Sequence, residues 1–279
     1  MKTIRFDWKL TAAHPLNVQY SRHPPGSTTR AADMHSSVHV GILIQGDTAG
    51  LHNGEKIMVR EGGIYLTAPW EPHQTTGSEN GNRLLLITAD PDAVANALLS
   101  GAEKLNQLYR IPPAERLEIL NTLKLSHARC RAMIRLVQEP ETPERELRLW
   151  HAALGIFMEI ALLDFSAVPD PDYLRLLPSL RQLGNQPLPV GRAAELCHLS
   201  ESRFAHLFRR VFGMPFARYE RLYRLRRAVD EMQRLHAGLK ETAERWGFCD
   251  KSHLSKACRK YGLLRPECRH EKKNHSFSG

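Results

Sequence analysis

The stretch Leu239–Lys260, LKETAERWGFCDKSHLSKACRK, constrains this chain more than any other. Leu239, Thr242 and Ala243 fall at i, i+3 and i+4, the spacing of one helical face. Gly247 takes positive φ without penalty and is the expected stop of that helix. Asp250 is placed to cap a second helix, along which Leu254, Ala257, Cys258 and Tyr261 recur at helical spacing. The opposite face carries Lys251, Ser252, Ser255, Lys256 and Arg259, the cations and hydroxyls that meet phosphates and base edges. Alone, this is either a solvated basic hairpin or a DNA-reading helix-turn-helix.

A second copy favours DNA. Val190-x-x-Ala193-Ala194 matches Leu239-x-x-Thr242-Ala243, Leu199-Ser200 matches Cys249-Asp250, and Phe204 matches Leu254. The offset is about 50 residues throughout, so the unit is duplicated. In the first copy Ser200 is the expected cap. Phe204, Leu207, Phe208 and Val211 are expected to face inward, and Ser202, Arg203, Ala205, His206, Arg209 and Arg210 outward. Between the copies Phe216–Leu235 reads as one long basic helix, a rigid spacer suited to placing two recognition helices about 34 Å apart, one turn of duplex.

Charge supports the same reading. Residues 178–273 hold about 21 Lys and Arg against about 10 Asp and Glu, and the remainder about 18 against about 20. About +11 thus sits in one third of the chain and about −2 in the rest, the footprint of a polyanion-binding domain joined to something neutral. No run of about 18 apolar residues is present, and MKTIRFDWKL lacks the apolar core of a signal peptide, so a cytoplasmic protein without membrane contact is expected. Five cysteines without a CxxC pair fit free thiols.

Residues 1 to about 90 read as β structure. Val38–Ile44, Ile57–Val59, Ile64–Leu66 and Leu84–Ile87 are separated by Gly46-Asp47, His52-Asn53-Gly54 and Glu61-Gly62-Gly63. Asn53-Gly54 is a hairpin signal. Asp33, His35, His39 and His73 are candidates to converge inside a barrel, since residues two apart on a strand share a face. Three readings stand: polar liners of a ligand pocket, histidines with no direct role, or ligands of a divalent transition metal. Tyr65 and Trp70 offer flat apolar contact to a small organic ligand, or serve as barrel core.

Helices are expected over Ala93–Leu99, Leu105–Tyr109, Ala114–Leu125 and Ala128–Gln138. Another opens at Thr142-Pro143-Glu144, with Thr as cap and Pro in first position, and runs to about Phe165. Its apolar residues, among them Leu147, Trp150, Leu154 and Met158, pack either on the barrel or across a homodimer. Ser166–Pro171 reads as an interdomain linker.

The N-terminal residues resemble the cupin sensor fold over about residues 30–88. Asp33 stands where the first motif's first His falls, His35 at its second His, His39 at its Glu and Gly46 at its Gly. Gly62 through Ala68-Pro69-Trp70-Glu71-Pro72 to His73 matches the second motif, with Trp70 in place of a Gly. The two helix-turn-helix units, Arg224-Leu225-Arg226-Arg227-Ala228 and Gly247-Phe248-x-Asp250-x-Ser252-x-x-Ser255 resemble the DNA-binding domain of the AraC/XylS transcription regulators over about residues 172–270. Four positions depart from the pattern. Pro178 implies a late start for the first helix, His198 replaces a turn Gly, Cys258 replaces a core aromatic, and no Tyr follows Pro266.

Together the resemblances imply an α+β chain. A cupin-like sensor and dimerisation domain spans 1–165, with the barrel at about 1–90. A linker spans 166–171, and an all-α DNA-binding domain spans 172–279. They imply Ser202, Arg203 and His206, then Lys251, Ser252, Ser255 and Lys256, as base readers, with Arg209, Arg210, Arg259 and Lys260 on phosphates. His35, His39, Tyr65, Trp70 and His73 are the expected effector pocket. The implied protein is a transcription regulator, an activator, with double-stranded DNA, a small-molecule effector, a second copy and RNA polymerase as partners and no cofactor. The alternative is a metal-dependent cupin enzyme carrying a DNA-binding domain, with His35, His39 and His73 as metal ligands.

Overall fold

The computed structural model describes residues 10–11, 13–28, 32–166, 169–235, 237–261 and 263. Six antiparallel strands come first: β1 (Leu16–His23), β2 (Val38–His52), β3 (Glu55–Arg60), β4 (Ile64–Thr67), β5 (His73–Gly77) and β6 (Asn82–Ala89). The long β2 organises them. Its first half pairs with β6 and β4, its second half with β3 and β5, and β1 adds beyond β6. Two sheets therefore share one strand, as the cupin resemblance implies.

Gly46-Asp47 is not the turn expected from the sequence. β2 runs through it, with a register slip between Leu43 and Gln45 and Gly46 at φ 80°. This is a bulge that bends one strand from the first sheet to the second. Asn53 and Gly54 form the expected tight hairpin, both with positive φ (51° and 82°), the pattern of a type I′ turn. β1 and β5 are strands the sequence reading lacked; LNVQYSRH and HQTTG are too polar to stand out.

Five helices follow: α1 (Pro91–Leu98), α2 (Gly101–Tyr109), α3 (Pro113–Leu120), α4 (His127–Gln138) and α5 (Pro143–Ala161). The Thr142 hydroxyl caps α5 by accepting from Arg145 N at 3.1 Å. α3 and α5 end earlier than expected, at Leu120 and Ala161. Val38, Val40 and Ile42 of β2 and Leu85 and Ile87 of β6 pack with Leu105, Leu108, Phe157 and Ile160 in one core. The alternate residues Leu43, Leu84 and Leu86 join Ile57 and Val59 in a smaller one on the other side.

The remaining helices are α6 (Pro171–Arg181), α7 (Val190–Leu196), α8 (Glu201–Phe212), α9 (Phe216–Leu235), α10 (Leu239–Arg245) and α11 (Lys251–Lys260). Pro178 does not delay the first of these. α6 starts at Pro171 under an Asp170 cap and carries Pro178 inside it, at the cost of one backbone bond. By contacts the chain forms two compact units, Met1–Leu183 with Leu188–Tyr223 and Gly184–Pro187 with Arg224–Gly279. The first helix-turn-helix thus belongs with the β-structure and α1–α6, and the second stands in its own unit. Pro266 and its surroundings lie outside the described residues.

Candidate DNA-reading faces and ligand pocket

In the first copy, α7 stops at His198, which takes φ 55° where the resemblance places a Gly. In the second, Gly247 takes φ 64°. Leu199 N donates to Ala194 O and Phe248 N donates to Ala243 O, each at 2.9–3.0 Å. The equivalent of Leu199 is therefore Phe248, not Cys249. The offset is 49 residues up to each turn and 50 after it, because Cys249 is an extra residue before the cap. Ser200 caps α8 through Arg203 N (3.3 Å), and Asp250 caps α11 through His253 N (2.7 Å), a hydrogen bond that lowers the Asp250 carboxyl pKa.

α8 buries Phe204, Leu207, Phe208 and Phe212, while Val211 is only half-buried, so the inward stripe ends one residue later than expected. Ser202, Arg203, Ala205, His206, Arg209 and Arg210 are all exposed. α11 buries Leu254 and Cys258 and exposes Lys251, Ser252, Lys256, Arg259 and Lys260, with Ser255 half-buried. Burial raises the Cys258 thiol to about 11, so it packs as a small apolar group. Arg210 is committed to an ion pair with Asp172 of α6.

Two further side chains of α9, Arg224 and Glu231, not assigned such roles from sequence, hold the second turn. Arg224 Nη1 donates to the carbonyls of Trp246 (2.8 Å) and Gly247 (3.2 Å). Glu231 accepts from Trp246 Nε1 (2.9 Å) and Arg245 Nη1 (2.7 Å). Backbone carbonyls at a helix end need such donors, and the arginine supplies them from α9.

In the β-structure, His39 lies opposite Thr67 and Thr88 on β2's inner face, and the Tyr65 ring covers Gly41 so closely that any Cβ there would overlap it. His35, His39 and His73 converge as expected, with ring centroids 4.2, 4.9 and 5.8 Å apart. Asp33 bridges to His73 by paired backbone hydrogen bonds of 2.8 Å. His52, unassigned from sequence, joins the cluster 5.9 Å from His73 and 6.0 Å from Tyr65.

His35 Nδ1 donates to the Ser37 carbonyl (3.1 Å) and His73 Nδ1 to the Glu71 carbonyl (2.9 Å). For His73 this bond selects the tautomer with Nε2 as the acceptor nitrogen, while His35 Nδ1 also meets the Ser37 hydroxyl at 2.9 Å. Burial, then the neighbouring His35 and His73, hold His39 well below the usual histidine range, and burial lowers His73 as well. His39 and His73 thus favour the neutral form. His35 and His39 meet ring against ring, tilted by 34°. Among the described residues, no group of three or more His, Cys, Asp or Glu is arranged to hold a metal ion.

Glu71 lies beneath this cluster, 3% exposed. Its carboxylate accepts from His52 Nδ1 (2.8 Å) and from Arg116 Nη2 (2.5 Å), and Arg116 is itself 1% exposed. Burial alone would raise the Glu71 pKa; Arg116 and His52 together hold it at about 2. The sequence shows Glu71 beside His73, but nothing in it pairs Glu71 with an arginine 45 positions away.

Trp70 touches the histidine cluster through its backbone, and the ring contact described for it is with Tyr223. It takes φ 62°, so the position where the resemblance places a Gly keeps the Gly conformation. Its N–H donates to the His35 carbonyl (2.7 Å), its carbonyl accepts from the Tyr219 hydroxyl (2.9 Å), and its ring lies 4.5 Å from that of Tyr223.

A family model described as a helix-turn-helix domain matches residues 193–267. The C-terminal region carries an AraC-type helix-turn-helix domain. This AraC-type domain takes in both turns and the exposed faces of α8 and α11. ToxT from Vibrio cholerae shares the fold along most of the chain, with TM-score 0.51 and 12% identity over 90% of this chain and 96% of that one. An apo single-substitution ToxT gives TM-score 0.50 and 11% identity over 88% and 93%. No curated protein matches this chain in sequence. No helix among the described residues is long and apolar enough to cross a membrane.

Proposed function

We propose that the chain is a sequence-specific transcription regulator, an activator, and that a small molecule controls it from the histidine-lined pocket. The observation that carries this reading is the division of α8 and α11, each with a buried apolar stripe and an exposed face of cations and short donors. Ser202, Arg203, His206, Lys251, Ser252, Ser255 and Lys256 are assigned to base edges. Arg209, Arg210, Arg259 and Lys260 are assigned to phosphates, Arg210 only on leaving Asp172. His35, His39, His73 and Tyr65 are assigned to the effector.

The chain of bonds from the His35 carbonyl through Trp70 to Tyr219 gives an effector a route to α9. An effector acts through this route only by binding two arrangements of it with different affinity. α5 buries Leu149, Ala153, Ile156 and Phe157 and exposes Leu147 and Met158, with Leu162 exposed just past its end, which supports a homodimer through that stripe. Contact with RNA polymerase follows from the activator reading.

Selection of bound fragments from random duplex DNA tests the reading. A recurring motif is expected, with reporter output rising when that motif stands upstream of a promoter. Uniform recovery of all sequences would refute it.

A further inference from the structure

A separate cleft lies outside the histidine cluster. It encloses about 430 Å³ and is lined by the Asn53-Gly54 hairpin and Glu55, by Tyr109–Pro113, by Asp170 and Tyr173, and by Arg209, Arg210, Val211 and Gly213. Its charges are unevenly committed. Glu55 accepts from Ala114 N at the start of α3 (3.2 Å), and Asp170 accepts from Asp172 N as the α6 cap (2.8 Å). Arg210 is matched by Asp172. Arg110 and Arg209 have no ion pair among the described residues. Both acids are thus spent on helix starts, and two guanidinium groups remain for an occupant.

A second observation points to the same occupant. Tyr109, part of the lining, has a buried hydroxyl with no hydrogen-bond partner among the described residues. A buried donor left unmade is costly, and an oxyanion accepts from the Tyr109 hydroxyl and from the guanidinium groups of the lining together. Ile111, Pro112, Pro113 and Val211 give the cleft an apolar side.

We infer that this cleft binds a small organic oxyanion, a carboxylate or a phosphate ester, held by Arg110, Arg209 and Tyr109. The site does not depend on the histidine pocket or on DNA. If α8 reads DNA as proposed above, an occupant also withdraws Arg209 from the phosphate backbone.

The test is calorimetric titration of the full chain with benzoate and with phenyl phosphate at fixed ionic strength, with benzamide as the uncharged control. Saturable binding of either anion is expected, weakened about tenfold by Arg110→Gln, by Arg209→Gln and by Tyr109→Phe. Binding of benzoate alone assigns a carboxylate, and of phenyl phosphate alone a phosphate ester. Circular dichroism of each variant separates loss of binding from loss of fold. The inference is overturned if neither anion binds saturably, if benzamide binds equally well, or if well-folded Arg110→Gln and Arg209→Gln proteins bind as the parent does.

Discussion

The hydroxyl of Tyr219 donates to the carbonyl of Trp70 at 2.9 Å, joining a strained loop residue of the β-structure to the first turn of α9. Tyr219 is 2% exposed, so removing its oxygen strands the carbonyl away from water. Tyr219→Phe is expected to cost about 1–3 kcal/mol in urea unfolding. It should also change reporter output, because the bond lies on the proposed route from pocket to helix. A variant equal to the parent in both measurements would remove the bond from the mechanism.

Glu71 is expected to be the least replaceable charge in the β-structure. Glu71→Gln leaves Arg116 buried without its carboxylate, a loss of about 3–5 kcal/mol. The pH dependence follows from the same pair. The folded carboxyl at about 2 lies below its ordinary 4.5, so its contribution is complete above 4.5 and is lost as pH falls from there toward 2. Urea midpoints taken between pH 6 and pH 3 should fall for the parent and fall less steeply for Glu71→Gln.

The histidines act in a higher window. His39 and His73 are held below their ordinary 6.5, so below that pH the unfolded chain takes up protons that the folded chain refuses. Stability should therefore decline as pH falls below about 6.5, before Glu71 contributes. His39→Gln should flatten that limb, and an unchanged limb would show that the cluster titrates freely.

Gly54 and Gly213 approach too closely for side chains. A Cβ on Gly54 would stand 2.6 Å from Gly213 Cα, and one on Gly213 would overlap Gly54 N. Both have positive φ. Either Gly→Ala change should cost about 1–3 kcal/mol, and the double variant less than the sum, because one displacement relieves both clashes. Thermal unfolding of the three proteins measures this.

For DNA, Lys256→Ala should change which base is preferred at one position of the selected motif. Arg209→Ala should weaken all sequences alike and reduce the salt slope by about one. Equal loss on every sequence with Lys256→Ala would move that residue to the phosphates.

The duplicated unit was legible in the sequence because both determinants are local. Helical spacing identified Phe204, Leu207 and Phe208 as buried, and Ser200 and Asp250 as caps. The convergence of His35, His39 and His73 was legible from strand period and the cupin resemblance. His52 and Arg116 were not, since each reaches Glu71 through tertiary pairing that leaves no periodic mark. Gly46 misled because a glycine with positive φ serves a bulge as readily as a turn. The contact of the Trp70 ring with Tyr223 leaves no mark in the sequence either, because it joins residues 153 positions apart.

The additional Cys249 has one more implication. Since Asp250 starts α11 wherever the preceding turn delivers it, the cap resets the phase of the helix and absorbs the insertion. Counting from the caps, Ser202, Arg203 and His206 correspond to Ser252, His253 and Lys256. Segments cut from cap to helix end, 200–212 and 250–260, are therefore the natural units for exchange between copies. A graft aligned on the turns instead would rotate every reading side chain by about 100° around its helix.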